Sequence, residues 1–351
     1  MAAPEDNATA AASALPDALN PLMLSLNENP FPPLPSVQMA LSASIGSANR
    51  YPEYLPQRLR AMIAAHIGVR DEQVVLGVGA TGVIMQVLHA VTCPGDVIAM
   101  TSPTFDGYPV FARMARLVPV TVPLDGHGRH DLDALARAAA GARVVVVCRP
   151  HNPTGTIETA ADIEEFLRSV PADTVVLLDE AYVEFLPPEF RLDAAGLVAR
   201  YPNLVALRTF SKAYGLAGLR IGYGFCAQPL ARKLWTMQLP FGIAITGLVA
   251  VAASYEVEAE LQQRIRMIAN ECHYLRMRLG SAGVYSTDSH ANFVYLPQRD
   301  RYWPQVFDDS GLRVRHYADG GVRITVGDRR STRAVLAAVR ENSAAGAAGA
   351  V

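Results

Sequence analysis

Short, uninterrupted apolar runs punctuate the chain, among them VVVVC at 144–148 and VVLLD at 175–179. A strand solvated on one face alternates apolar with polar residues, so an unbroken run requires cover on both faces. Seven segments are read as strands on this basis: 73–76, 97–101, 118–122, 143–148, 174–179, 204–209 and 221–225. Between them, segments 82–91, 106–116, 132–140 and 160–169 carry apolar residues at helical spacing. Strand and helix in alternation predict an α/β domain with a mostly parallel seven-stranded sheet and helices on both faces. In such a sheet ligands bind at the carboxyl ends of the strands, which makes that edge the place to look for chemistry.

The pattern changes after residue 255. A long helix of mixed charge at 256–279 leads into short strands around 292–296, 312–315 and 322–326, and a last helix follows near 332–341. This predicts a smaller α+β domain over 251–342, joined by an N-terminal segment at 21–45, with 46–250 as the large domain. Residues 1–20 and the Ala/Gly-rich 343–351 read as disordered tails. The longest apolar stretch, 241–253, is interrupted by Gly242, Thr246 and Gly247 and is too short to span a bilayer, so it reads as a buried helix. The N-terminus has no basic region followed by an apolar core, which argues against a secretory signal. A net charge of −2 supplies no basic field for nucleic acid. The four cysteines form no C-x-x-C pair, so no metal site or disulfide framework is expected and a reducing cytoplasm is the default location.

Of the 31 basic residues only Lys212 and Lys233 are lysines, so lysine-dependent chemistry has two candidates. Lys233, in LARKLW, sits among polar neighbours on a probable helix and reads as a solvated charge. Lys212, in TFSKAYGLAGLRIGY, follows an apolar strand and lies among Ser, Thr and Gly at the ligand-binding edge. Desolvation there lowers an amine's pKa and favours Schiff-base chemistry. Thr209, Ser211 and Arg220 surround it with hydroxyls and a guanidinium, which suit a phosphate. A second phosphate element is LGVGATG at 76–82, where glycine allows close backbone approach and a helix N-terminus attracts anions. A dinucleotide site would read similarly. However, this turn departs from G-x-G-x-x-G after two glycines, and no acidic residue follows a second strand at the usual spacing.

Asp179 ends an apolar strand, which aims its carboxylate at the same edge; the plainer reading is a helix N-cap. As a partner for a pyridinium nitrogen it would keep that ring protonated and able to accept electrons. Tyr182 lies three residues on, and Asn152, in RPHNPTG, follows another strand and is held extended by Pro153. Each signal has a bland alternative, but all fall at the carboxyl ends of strands in one sheet.

Together NPTG, DEAY and SKAYGLAGLRIGY resemble the fold-type-I pyridoxal 5′-phosphate (PLP) aminotransferases, and within them the histidinol-phosphate aminotransferase branch. The likeness extends through LSLNENPFP at 24–32, NRYPEY at 49–54, SPTFDGYP at 102–109 and SHANFVYL at 289–296 to GVRITVG at 321–327. It implies that Lys212 carries the cofactor and moves the proton, that Asp179 pairs with the ring nitrogen, and that Asn152 and Tyr182 bind the ring oxygen. It further implies that Phe105 stacks on the ring, and that Ala80, Thr81, Thr209, Ser211 and Arg220 hold the phosphate. Arg323, Arg315 and Asn27 become the substrate-side residues. The resemblance also implies a homodimer in which Tyr51 reaches the neighbouring site, and ping-pong transfer from an amino donor to a 2-oxo acid such as 2-oxoglutarate.

The chain departs from the branch at three places. Its phosphate loop reads GVGATG rather than an Asn and a Ser–Asp–Glu run. Phe105 stands where tyrosine is common, and DRRSTRAV follows RITVG instead of an acidic, Asn-containing run. Histidinol phosphate, an aromatic amino acid or another donor from specialised metabolism therefore remain as substrates. Two further readings are a threonine-phosphate type decarboxylase and a non-catalytic binding domain. Against the second stand the retained Lys212 and Asp179 and the lack of a basic DNA-binding segment.

Overall fold

All seven apolar runs enter one sheet in a computed structural model of the chain, which describes residues 17–299 and 301–348, with 342–348 by backbone alone. In chain order the elements begin α1 (Pro35–Ser44), α2 (Gln57–Ile67), β1 (Val74–Val78), α3 (Gly79–Val91), β2 (Val97–Ser102), α4 (Gly107–Met114) and β3 (Val118–Pro123). They continue with α5 (Leu132–Ala139), β4 (Val144–Cys148), α6 (Ala160–Ser169), β5 (Val175–Asp179), α7 (Ala194–Arg200), β6 (Leu204–Thr209) and β7 (Ile221–Cys226). The C-terminal part comprises α8 (Gln228–Trp235), α9 (Ile245–Glu256), α10 (Glu258–Ser281), β8 (Phe293–Leu296), α11 (Trp303–Phe307), β9 (Arg315–His316), β10 (Val322–Thr325) and α12 (Arg329–Ala348).

The large sheet has the order β1-β7-β6-β5-β4-β2-β3. Only β7 is antiparallel to its neighbours, β1 and β6. This reversal matters for the site, because β7 begins at the edge where the other strands end. Arg220, the residue before β7, thereby joins Lys212 after β6 and Asp179 at the end of β5.

The apolar runs behave as their composition requires. Val144 and Val146 pack on one face with Val75, Ile98, Met100 and Leu177, while Val145 and Val147 pack on the other with Val176, Leu178 and Ala206. Period-two alternation sends neighbouring valines to opposite layers, and helices cover both. Each fully buried aliphatic side chain contributes about 1.5–3 kcal/mol of transfer free energy. That makes the sheet a rigid floor for the loops at its edge.

A second, antiparallel sheet has the order β8-β10-β9. A strand was expected over 312–315, but only Arg315–His316 pairs within this sheet. The backbone just before it binds the N-terminal segment instead: Arg313 N donates to the Leu22 carbonyl and Leu24 N to the Arg313 carbonyl, both at 2.8 Å. Leu24 O in turn accepts from Thr325 N at 2.9 Å. Residues near 22–29 are thus tied to the small sheet, whereas α1 packs against α9.

The last helix runs on to Ala348, past the expected start of a tail at 343, because alanine is the strongest helix former. Of the two expected tails, residues 1–16 and 349–351 lie outside the described residues, and 17–20 form a turn. The apolar stretch 241–253 becomes a turn followed by α9. No helix among the described residues is long and apolar enough to cross a membrane.

Candidate active site

β5 delivers Asp179 to the sheet edge, where it is 5% exposed. One carboxylate oxygen accepts the Tyr108 hydroxyl, and the other accepts the Ala181 N–H at 3.0 Å. Among the described residues it forms no ion pair. Burial therefore pushes its carboxyl above the usual carboxylate range, partly opposed by the Tyr108 hydrogen bond. A buried carboxylate with two neutral donors and no cation is complementary to a protonated nitrogen.

Lys212 lies in the loop after β6, half-buried. Its Nζ donates to the Leu26 carbonyl at 2.9 Å and stands 5.9 Å from the centre of the Tyr182 ring. Burial, with help from the nearby Arg323, lowers its amine to about 7 from an ordinary 10.5. Much of it is thus neutral and nucleophilic near neutral pH. Lys233, the other lysine, is exposed on α8.

Two amides converge on the Tyr182 hydroxyl: Asn27 Nδ2 donates at 2.9 Å and Asn152 Nδ2 at 3.4 Å. With two N–H groups donating to its oxygen, the phenol keeps its own proton for a third partner. Burial raises its pKa, so the proton stays on at neutral pH. Asn27 also accepts from Thr325 Oγ1 at 3.2 Å, so its side chain is committed to other side chains. Asn152 faces both ways, because its Oδ1 accepts from Arg323 Nη1 at 2.5 Å.

Arg323, on β10, is 4% exposed. Its other acceptors are the Tyr317 hydroxyl at 3.0 Å and the Ser25 carbonyl at 2.6 Å, and its Nε has no partner. Every acceptor is neutral, which leaves a buried guanidinium short of an anion. A carboxylate or a phosphate, either of which accepts a forked pair of N–H bonds, fits that deficit.

The phosphate-type cradle forms where β1 runs straight into α3. Helix α3 starts at Gly79, three residues earlier than the spacing predicts, which puts Ala80 and Thr81 in its first turn. No side chain caps this end; Gly79 N–H donates to the Arg220 carbonyl at 2.9 Å, which leaves the Ala80 and Thr81 N–H groups for an anion. Gly79 has φ +73°, and a Cβ there would collide with the Arg220 guanidinium. The guanidinium occupies the space that any other residue's side chain would fill. Arg220 itself adopts the left-handed region (φ +54°), uncommon for a side-chain-bearing residue and frequent at ligand sites. It donates to the Ala217 carbonyl at 2.8 Å and to Ser211 Oγ at 3.4 Å, and Thr209 Oγ1 donates to Ser211 Oγ at 3.0 Å.

Phe105 packs edge-on against Tyr108, with ring centres 5.5 Å apart. Tyr108 was not singled out in the sequence, although it lies three residues past Phe105 in the first turn of α4, at the same sheet edge. Two expected residues stand apart. Tyr51 is 84% exposed and packs on Phe241 with ring centres 4.9 Å apart, outside this chain's own site. Arg315 forms an ion pair with Asp106 at 3.0 Å at the mouth of the cleft, rather than joining Arg323 inside it.

The sequence model of the family described as aminotransferase class I and II matches residues 20–339. An aromatic amino acid aminotransferase of Rhodococcus opacus (strain B4) is 40% identical over 319 residues, covering 90% of this chain and 88% of that protein. An enzyme of the same name from Cutibacterium acnes is 39% identical over 323 residues, covering 91% and 92%. Among solved structures, histidinol-phosphate aminotransferase from Sinorhizobium meliloti in complex with pyridoxal-5′-phosphate superposes with a TM-score of 0.85. It is 27% identical, and the match covers 91% of each chain.

Proposed function

Because the chain belongs to the aminotransferase class I and II family, we propose that it moves an amino group from an aromatic amino acid to a 2-oxo acid, with Lys212 holding the cofactor. It is a PLP-dependent aminotransferase of fold type I that acts on small molecules. The observation that carries the proposal is the buried guanidinium of Arg323, which has only neutral partners and a free Nε, beside a near-neutral Lys212. One buried cation with neutral partners suits one α-carboxylate, and relatives 39–40% identical to the chain carry aromatic amino acid names.

The residues present fit the cofactor. Asp179 lacks a cation, the α3 N-terminus with Arg220 forms a cradle that a Cβ at Gly79 would fill, and Tyr182 has a proton to donate. PLP supplies an aldehyde that condenses with amines and a ring that draws electron density from the carbon undergoing reaction. Ala80 and Thr81 through their N–H groups, with Thr209, Ser211 and Arg220, hold its phosphate. Asp179 holds a proton on the ring nitrogen, oriented by Tyr108. Tyr182 and Asn152 hydrogen-bond the ring oxygen, Asn27 positions Tyr182, and Phe105 covers the ring. Arg323 binds the substrate carboxylate. Lys212 would carry the cofactor and, as the near-neutral amine at the site, would move the proton at the substrate Cα.

The chain acts as a homodimer. Tyr51, Tyr54, Phe241, Leu239 and Met237 form an exposed apolar patch of the kind that marks an interface, and it supports a reading in which Tyr51 completes a partner's phosphate site. Four free thiols accord with work in the cytoplasm.

The test follows the visible absorbance of the PLP-loaded enzyme as phenylalanine, tyrosine, glutamate, histidinol phosphate and threonine phosphate are added singly. Phenylalanine and tyrosine are expected to convert the cofactor to its amino form fastest. Conversion by histidinol phosphate alone would move the enzyme to that substrate, and carbon dioxide release from threonine phosphate would replace transfer by decarboxylation.

A further inference from the structure

Arg323 and Arg315 are directly opposite one another across the β10–β9 pair. Opposed residues share a face of the sheet, with Cβ atoms about 5 Å apart. Both arginines therefore face the cleft, at different depths. Arg323 is buried and within electrostatic reach of Lys212, whereas the Arg315 side chain is 47% exposed at the mouth. Tyr317 stands between them: it accepts from Arg323 and feels the charges of both Arg315 and Asp106. The two guanidinium groups differ most in their partners. Arg323 has only neutral acceptors, while Arg315 Nη2 is met by Asp106 Oδ2 at 3.0 Å. Asp106 comes from the loop after β2 of the large sheet and adjoins Phe105.

We propose that Asp106 sets the charge preference of the site, by holding the outer Arg315 in an ion pair that the distal anion of a substrate must displace. The inference rests on Arg323 receiving the α-carboxylate. A substrate with an uncharged side chain leaves the Asp106–Arg315 pair closed. One carrying a second carboxylate or a phosphate must open it and then lie beside the freed Asp106 carboxylate. It loses the pair's attraction and meets a like charge, which together disfavour it. The pair is half-exposed, so this discrimination weakens as salt screens it. Acceptors are sorted in the same way: a 2-oxo acid with a distal carboxylate opens the pair, and an aromatic one does not.

Asp106→Asn tests this, since the amide keeps the shape of the side chain and can still accept a hydrogen bond from Arg315. The readout is kcat/KM for glutamate and aspartate relative to phenylalanine, at low and high salt. We expect the anionic-to-neutral ratio to rise roughly five- to tenfold in the variant at low salt, less at high salt. Adding Arg315→Met to Asp106→Asn should abolish the gain. An unchanged ratio, or a gain that survives loss of Arg315, overturns the proposal. The aromatic assignment fails separately: wild type inactive on phenylalanine rejects it. In that case the change in glutamate turnover between wild type and Asp106→Asn still decides the role of Asp106.

Discussion

Replacing Lys212 with alanine lowers kcat by at least about 10³-fold, while the protein stays folded. Two functions are lost together: the amine that receives the cofactor aldehyde, and the base that moves the Cα proton. Positioned proton transfer alone is worth roughly 10²–10⁴ in rate. Lys233 cannot substitute, because it sits exposed on α8. Stability moves the other way from activity. The Lys212 amine titrates near 7 when folded against an ordinary 10.5, so between those values the unfolded chain binds more protons and stability rises with pH. At pH 7 and below the buried amine carries its desolvation cost in full. Alanine removes it, so the cofactor-free variant should melt no lower than wild type there. The same depressed pKa predicts that wild-type cofactor loading accelerates as pH rises through about 7. A variant that keeps more than a tenth of wild-type turnover, in a protein of normal melting behaviour, contradicts this role.

Asp179→Asn lowers kcat by about 10²–10³-fold, the range seen when one preorganised electrostatic partner is removed from a reacting group. Asparagine preserves volume but not charge. Its amide nitrogen cannot accept the Tyr108 proton, so the side chain turns its oxygen to Tyr108 or leaves that phenol unpaired. Either way the ring nitrogen loses the anion that keeps it protonated. Cofactor affinity should fall far less than kcat, because the α3 N-terminus and Arg220 hold the phosphate elsewhere on the sheet edge. Equilibrium dialysis beside steady-state kinetics separates the two effects. Equal losses of affinity and turnover would assign Asp179 to binding alone.

Both residues were legible before any coordinates, for a physical reason. Strands buried on both faces show as unbroken apolar runs, and in a parallel sheet the end of such a run marks the ligand edge. Asp179, Lys212 and Asn152 could be found that way, as could the Gly79–Thr81 turn. Arg220 was found by its nearness to Lys212 in the chain, and the reversal of β7 is the physical reason that a residue preceding a strand reaches the edge where others end. What stayed hidden depends on pairings between distant segments. Asn27 and Tyr182 are 155 positions apart, and nothing local shows that one donates to the other. Nothing local to Tyr108 shows that its hydroxyl meets Asp179, 71 positions away. The partner of Arg315 was invisible for the same reason, as its ion pair joins a strand of the small sheet to a loop of the large one. The expected 312–315 strand was misjudged because its hydrogen bonds go to residues 22–24, a competition that periodicity cannot register.

The most direct test of the whole account is chemical. The PLP-loaded protein is reduced with borohydride, digested with trypsin and mapped by mass spectrometry. Trypsin does not cut at a modified lysine, so the account predicts the cofactor on one uncut peptide, TFSKAYGLAGLR at 209–220. Label on Lys233, or no covalent label at all, would contradict it.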